Sequence, residues 1–100
     1  MRAILNEQVM AEADKEELIY IEGNWYFPPG SVKEDLLVKS STPYHCPWKG
    51  DCQYYNVKVG DAECRDCAFG YPSALESAIK TVGKDFRNYV AFWQEVEVTE

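Results

Sequence analysis

The sequence predicts a mainly β fold: a compact antiparallel folded sheet, or a partly open barrel, with one short helix near residues 74–82. Aromatic residues make up 14% of the chain, and they favour strands over helices. Runs of β-branched and aromatic residues end at turn signals such as Gly23 and Gly60. Only one stretch repeats its apolar residues at helical spacing. No linker or repeat divides the 100 residues, so residues 1–100 are predicted to form one domain.

The first quarter of the chain is predicted to be a hairpin followed by a third strand. Residues 2–5 and 9–13 flank the polar segment 6–8, whose composition is typical of a turn. Residues 17–22 combine β-branched and aromatic side chains and stop at Gly23. That pattern predicts a strand that ends in a tight turn.

The segment 25–30 is predicted to be an extended loop and not a central strand. Its two prolines fix φ and lack the N–H donors that a sheet ladder needs. Ser31 is expected to cap a single helical turn that runs through Asp35. Residues 36–40 are then predicted to form a strand.

A longer strand is predicted over residues 53–59. An extended backbone places Tyr55, Val57 and Val59 on one face of this strand. A glycine turn follows, and residues 67–71 are predicted to form the returning strand.

The one predicted helix covers residues 74–82. Ser73 is its candidate N-cap, and Glu76 follows three residues later, which is the spacing of a capping box. Gly83 suits the left-handed conformation with which many helices end. Two short strands, over residues 89–93 and 96–99, are predicted to complete the fold.

Charge narrows the possible partners. The chain has 10 basic and 17 acidic side chains, a net charge of −7, and no basic stretch. Nucleic acids and anionic membranes are bound through clustered lysine and arginine, so neither partner is expected. No apolar run is long enough for a transmembrane helix or a secretory signal. We therefore expect a cytoplasmic protein, as a monomer or a weak homodimer.

The segment from Cys46 to Gly50 is the most distinctive feature of the sequence. Its proline and glycine predict a rigid turn that presents a thiol, the Trp48 ring and the Lys49 ammonium close together. His45 is the only histidine, but neighbours on an extended chain point to opposite sides, so it is a poor base for Cys46. The competing interpretation is a plain turn with a core tryptophan and a buried, inert cysteine.

The four cysteines allow several interpretations. They are Cys46, Cys52, Cys64 and Cys67, and only the second pair has the C-x2-C spacing of half a zinc site. The leading interpretation is four unlinked thiols and no cofactor. A zinc site made by all four is one alternative, and a Cys64–Cys67 redox pair is another.

Aromatic residues crowd around the same turn in the sequence. With Lys49 they are the candidate ligand-binding residues: Tyr26, Trp48, Lys49, Tyr54, Tyr71 and Trp93. Rings with polar edges suit an apolar cleft. The same residues would equally serve as the core of a small domain, because a chain this short needs its aromatics for packing.

Several of these segments, taken in order, resemble the bacterial family known as domain of unknown function 427. The resemblance rests on residues 26–29, Thr42 with the Cys46–Gly50 turn, Tyr54-Tyr55, Phe69 with Tyr71-Pro72, and the segment 89–93. The family pattern carries over onto Tyr26, Cys46, Trp48, Lys49, Gly50, Tyr54, Tyr55, Tyr71 and Trp93. This chain departs from the pattern at Phe69, where the family usually has tryptophan, and at Cys52, Cys64 and Cys67, which lie outside it.

The resemblance implies a small, mostly β domain with a topology similar to the Mss-four-like, tent-shaped folds. The family is not a zinc family, although some of those folds hold a structural zinc. It sometimes carries a nucleotidyltransferase label, but this sequence has no glycine-rich phosphate loop.

The sequence therefore favours a binding module. A small anionic organic ligand or a peptide is expected in an aromatic cleft at the Cys46–Gly50 turn, with Lys49 supplying the positive charge. Two alternatives remain at this stage. One is an enzyme that uses Cys46 as nucleophile or Lys49 as a cation for an anionic transition state, and the other is a zinc-stapled interaction domain.

Overall fold

A computed structural model of the chain describes residues 1–100. Its strands are β1 Arg2–Leu5, β2 Gln8–Glu12, β3 Ile19–Ile21, β4 Asn24–Phe27, β5 Leu37–Cys46, β6 Gly50–Val59, β7 Ala62–Gly70, β8 Val90–Phe92 and β9 Glu97–Thr99. The α-helix is α1 Glu76–Val82, and two 3-10 helices cover Lys15–Glu17 and Glu34–Leu36. None of these helices combines the length and the apolar character needed to span a bilayer.

Two antiparallel sheets make up the fold. One has three strands in the order β2-β1-β9, and the other has six in the order β3-β4-β8-β7-β6-β5. The prediction of a mainly β chain with one short helix is confirmed. Neither sheet closes on itself, since β3 and β5 are free edges of the larger one, so the strands form two open sheets and no closed barrel. The tent-shaped topology that the resemblance implies stays a prediction.

The N-terminal hairpin forms as the sequence predicts. β1 pairs with β2, and Asn6 and Glu7 between them have φ of 49° and 68°. Positive φ at both central residues matches the right-handed twist of the flanking strands. β9 then joins the other edge of β1, which ties the C-terminus to this hairpin.

The prediction of a loop over residues 25–30 is wrong for its first half. β4 is an internal strand that pairs with β3 on one side and β8 on the other. Its last ladder pair is Phe27 with Val90, and both prolines follow Phe27. The missing N–H donors therefore fall outside the ladder and cost it nothing. The helical turn expected from Ser31 lies slightly later, at Glu34–Leu36.

A long hairpin of β5 and β6 dominates the larger sheet. Each strand has ten residues, so both extend well beyond the strands predicted over 36–40 and 53–59. Cys46 pairs with Gly50, and the three residues between them form the predicted turn. Pro43 lies within β5, where an edge strand tolerates proline because its outer side needs no partner.

The helix ends where it was predicted to end but begins two residues later. Gly83 has φ of 87° and its N–H bonds to the Ile79 carbonyl, as expected for a left-handed C-cap. The predicted capping box at Ser73 is wrong, because the N-cap is Leu75 and no side chain caps the helix. The Leu75 N–H instead donates to the backbone oxygen of Lys49, at 3.0 Å. The helix is thereby fixed to the Cys46–Gly50 turn.

Buried residues form two clusters. The first joins the smaller sheet to one side of the larger one and contains Val57, with Tyr55 and Val59 packed against it, which confirms the predicted face of β6. The second cluster contains Ile19, Ile21, Tyr26, Cys46, Phe69, Tyr71, Ala74, Ala78, Phe86 and Ala91. It lies between the larger sheet and α1, and the candidate site belongs to it.

Candidate functional site

Lys49 is the only buried residue with a charged side chain. The β5–β6 hairpin holds it in place, and the next residue, Gly50, has φ of 108°. A side chain at Gly50 would be strained at that φ, and its Cβ would lie 3.4 Å from the Ser73 carbonyl oxygen. Glycine at this position therefore lets the segment between β7 and α1, which contains Ser73, approach the turn closely, and this approach helps to enclose Lys49.

One carboxylate partners the buried ammonium. Lys49 Nζ donates to Glu22 Oε1 at 2.5 Å, and Glu22 occupies the two-residue turn between β3 and β4 with φ of 52°. The two side chains differ sharply in exposure: 7% for Lys49 and 54% for Glu22. The pair thus joins an enclosed cation to a carboxylate that remains half in solvent.

Two aromatic rings flank the same ammonium. Lys49 Nζ lies 4.7 Å from the centroid of the Tyr71 ring and 5.3 Å from that of Trp48. Both distances are within the range of cation–π attraction. These contacts bring together Trp48, Lys49 and Tyr71, three of the six candidate ligand-binding residues, and their role in binding stays a prediction.

Tyr26 completes this group with an unusual hydroxyl. The residue is fully buried, and its hydroxyl has no hydrogen-bond partner. Burial raises the pKa of Tyr26 well above its usual range, with a smaller contribution from Cys52. The phenol is therefore neutral near pH 7 and available as a donor inside the cluster.

Cys52 lies beside Tyr71 and connects the group to the surface. Burial raises the pKa of the Cys52 thiol and of the Tyr71 hydroxyl, and each group affects the pKa of the other because they lie close together. Cys52 also lines two surface cavities, of about 550 Å³ and about 430 Å³. A raised thiol pKa leaves Cys52 protonated near pH 7, which is unlike a nucleophilic cysteine.

The side chains of Cys46 and His45 lie in different environments, one buried and one exposed. Cys46 is buried in the second cluster, whereas His45 is exposed and its Nδ1 lies 2.7 Å from Asp51 Oδ1. The expectation that His45 is a poor base for Cys46 agrees with this geometry. A thiol without solvent access or an adjacent base gives no support to the alternative of a Cys46 nucleophile.

Tyr54 and Trp93 form a second aromatic group a short way from the first. Their rings are stacked, with centroids 6.2 Å apart, and the Trp93 indole N–H donates to the Asp66 carbonyl oxygen. Phe69 lies between the groups: its ring centroid is 5.3 Å from that of Trp93 and 5.9 Å from that of Tyr26. Phe86 in turn contacts both Tyr26 and Tyr71, with ring centroids 6.2 Å and 6.3 Å away, so the six predicted residues lie in one continuous cluster joined by Phe69 and Phe86.

Two members of this site were missed by the sequence reasoning. Phe69 is part of the family resemblance and one of its departures from the family pattern, which was the available signal, but it was not among the candidate site residues. Glu22 was assigned to the end of a strand, and nothing local marks it as the partner of a lysine 27 positions away.

The four cysteines do not converge. Cys64 and Cys67 form a disulfide within β7 and belong to the first cluster, whereas Cys46 and Cys52 are free and belong to the second. The interpretation of four unlinked thiols is therefore wrong for the C-x2-C pair. The alternative of a zinc site built from all four is also wrong, because two of its ligands are bonded to each other and lie in a different cluster.

The aromatic cluster is filled by its own side chains. Three surface cavities, with volumes of about 480, 550 and 430 Å³, are lined by other residues. None of Tyr26, Trp48, Lys49, Tyr54, Tyr71 and Trp93 lines them. A ligand that binds Lys49 would therefore have to displace a side chain, and the Glu22 carboxylate, on a side chain that is 54% exposed, is the one bonded to the ammonium.

Comparison with known families agrees with the resemblance seen in the motifs. The model of the family described as Domain of unknown function (DUF427), designated NTP_transf_9, matches residues 1–100. The chain belongs to this family. No curated protein matches it. Membership in DUF427 assigns no activity to the Lys49 cluster.

Proposed function

We propose that this DUF427 chain is a binding module for a small anionic organic ligand, whose acid group binds the Lys49 ammonium. The terminal carboxylate of a peptide has the same chemistry and belongs to the same proposal. The ligand's acid takes the position that the Glu22 carboxylate occupies in the free chain, and its body lies against the aromatic rings.

The difference in exposure between Lys49 and Glu22 supports this proposal most strongly. The Lys49 side chain is only 7% exposed, and removing an ammonium from water is costly unless an anion compensates its charge. Glu22 supplies that anion from a solvent-exposed turn, so its carboxylate can return to water at little cost. A ligand carboxylate or phosphate can then form the same charge-assisted hydrogen bond.

The surroundings of Lys49 suit a ring-containing acid. Trp48 is half-buried and Tyr71 is buried. The Lys49 ammonium lies over both of their rings. Tyr26 belongs to the same buried cluster as Tyr71, and its hydroxyl has no hydrogen-bond partner, so a ligand acceptor that reached it would satisfy a buried donor.

Thermal unfolding with simple anions tests the proposal. Benzoate at ten times its Kd should stabilise the chain by about 1.4 kcal/mol, a rise in Tm of about 6–11 °C. Acetate, which has no ring, should give a smaller rise at the same concentration. Lys49→Met should abolish both effects.

Lys58→Met is the matched control. Lys58 also forms an ion pair, with Glu63 at 3.6 Å, but its side chain is 55% exposed. Benzoate should stabilise this variant as much as the wild type. Equal stabilisation of the Lys49→Met variant would contradict the proposal, as would no stabilisation of the wild type at any concentration.

A further inference from the structure

A separate cavity of about 480 Å³ lies on the other side of the larger sheet. Leu37, Lys39 and Tyr55 of the β5–β6 hairpin line this cavity, together with Val90 of β8 and Pro29. Lys39 and Tyr55 are paired across the two strands, so their side chains lie on the same face. The volume is in the range of sites that hold small organic molecules.

The cavity carries one charge of each sign. Glu34 and Lys39 both line it, yet neither takes part in any of the six ion pairs of the chain. Neither side chain forms a hydrogen bond within the protein. Two opposite charges therefore face one space without reaching each other.

The rest of the lining supplies apolar surface and a phenol. Leu37, Val90 and Pro29 give the cavity an apolar side. Burial and the Glu34 carboxylate both raise the pKa of Tyr55, which agrees with Glu34 facing the Tyr55 hydroxyl across the cavity. A second cavity of about 430 Å³ shares Lys39 and Tyr55 with the first, so the space continues past the ammonium.

We propose that this cavity binds a small zwitterion with an apolar body, of the class of an apolar α-amino acid. The ligand's ammonium binds the Glu34 carboxylate, its carboxylate binds the Lys39 ammonium, and its side chain packs against Leu37 and Val90. A zwitterion bridges two opposite charges that the fold keeps apart, and each end makes a charge-assisted hydrogen bond. None of the residues proposed to bind a ligand at Lys49 lines this cavity, so the inference does not rest on the proposed function.

Titration with three related probes tests the inference. L-leucine carries both charges, N-acetyl-L-leucine lacks the ammonium, and L-leucinamide lacks the carboxylate. Binding is followed by calorimetry, and by the NMR shifts of the Leu37 and Val90 methyl groups. L-leucine should bind, and each derivative should bind about tenfold more weakly, because each loses one charge-assisted contact.

Substitutions of Lys39 and Glu34 test which residue binds each charged group of L-leucine. Lys39→Met should weaken L-leucine about tenfold and remove its advantage over L-leucinamide, whereas Glu34→Gln should remove its advantage over N-acetyl-L-leucine. Lys33→Met, an exposed lysine outside the cavity, should change nothing. Both tested residues are exposed, and the NMR spectrum of each variant confirms that it is folded.

The outcomes separate this inference from the proposal for Lys49. Loss of L-leucine binding in Lys49→Met, with Lys39→Met unaffected, would overturn it. Absence of any L-leucine binding to the wild-type chain would overturn it too. Binding that persists unchanged in Lys39→Met and Glu34→Gln would show an apolar contact only, and the proposed recognition of two charges would be wrong.

Discussion

The buried ammonium of Lys49 lies 2.5 Å from the carboxylate of Glu22, which sits on an exposed turn 27 residues earlier in the chain. This contact links the β5–β6 hairpin to the β3–β4 hairpin at the edge of the second cluster. Any anion that binds the Lys49 ammonium, from Glu22 or from a ligand, compensates a buried charge and therefore stabilises the fold.

Glu22→Gln should lower the free energy of unfolding more than Lys49→Met does. Glu22→Gln leaves an uncompensated buried ammonium and should destabilise the chain by about 1–3 kcal/mol, less than a fully buried pair because Glu22 is half in solvent. Lys49→Met leaves a carboxylate that water can solvate and puts an apolar chain in the buried position, so its cost should be smaller. Urea unfolding of both variants measures the difference, and a larger cost for Lys49→Met would contradict it.

The unpartnered hydroxyl of Tyr26 should make Tyr26→Phe a stabilising change. The hydroxyl is buried without a hydrogen bond, and such a group costs about 1–3 kcal/mol. We expect Tyr26→Phe to gain about 1 kcal/mol in urea unfolding, with the ring contacts kept. Tyr71→Phe is the comparison: its hydroxyl lies beside the Cys52 thiol, so removing it should give no such gain. A loss in Tyr26→Phe would show that a partner satisfies the hydroxyl.

Stability should fall as the pH rises above 10. Burial raises the pKa of Tyr26 and Tyr71 from the ordinary value of 10.0, so the folded chain keeps both protons while the unfolded chain loses them. Each tyrosine then contributes a loss of up to about 1.4 kcal/mol per pH unit above pH 10. Urea unfolding between pH 8 and pH 11 should show this slope. Tyr26→Phe should reduce the slope, and an unchanged slope in that variant would contradict the assignment.

Gly70 should not tolerate even a methyl group. A Cβ at this position would lie 2.5 Å from the Tyr89 carbonyl oxygen, where β7 runs beside the start of β8. Gly70→Ala should therefore cost about 1–3 kcal/mol or more through displaced backbone. Gly30→Ala is the control, because no atom lies within 4 Å of its Cβ and only its φ of +90° is unfavourable. Equal melting temperatures for the two variants would show that β8 can move aside.

The disulfide of β7 predicts a thiol count. With Cys64 and Cys67 bonded, titration of the denatured, unreduced chain should find two thiols, those of Cys46 and Cys52. Reduction should raise the count to four. Four thiols before reduction would mean that the C-x2-C pair is open in the isolated protein.

Local features of the fold could be predicted from the sequence, whereas long-range contacts could not. The hairpin turn at Asn6, the turn before Gly50 and the C-cap at Gly83 each depend on a few neighbouring residues with clear backbone preferences. The start of α1 was misplaced because the Leu75 N–H finds the Lys49 carbonyl and needs no side chain from Ser73. The Lys49 carbonyl is brought to Leu75 by tertiary packing, and the local sequence pattern around the helix carries no information about that contact.

The candidate site was predictable in composition but not in arrangement. The turn marks Trp48 and Lys49, the family pattern adds Tyr71, and the structure places the three side chains in contact. The motif did not show that Lys49 is enclosed, because its burial depends on Glu22 and on the approach of the chain near Ser73. A lysine on a turn is exposed in most proteins. Here Lys49 is buried because Glu22 and the segment between β7 and α1 pack against the turn.

Calorimetric titration of benzoate into the Glu22→Gln variant tests the central claim most directly. If an anionic ligand displaces Glu22 from Lys49, removing the competing carboxylate should tighten benzoate binding about tenfold over the wild type, and the double variant with Lys49→Met should not bind it. An affinity that is the same for wild type and Glu22→Gln, or that survives in the double variant, would contradict the account of Lys49 as the anion-binding group.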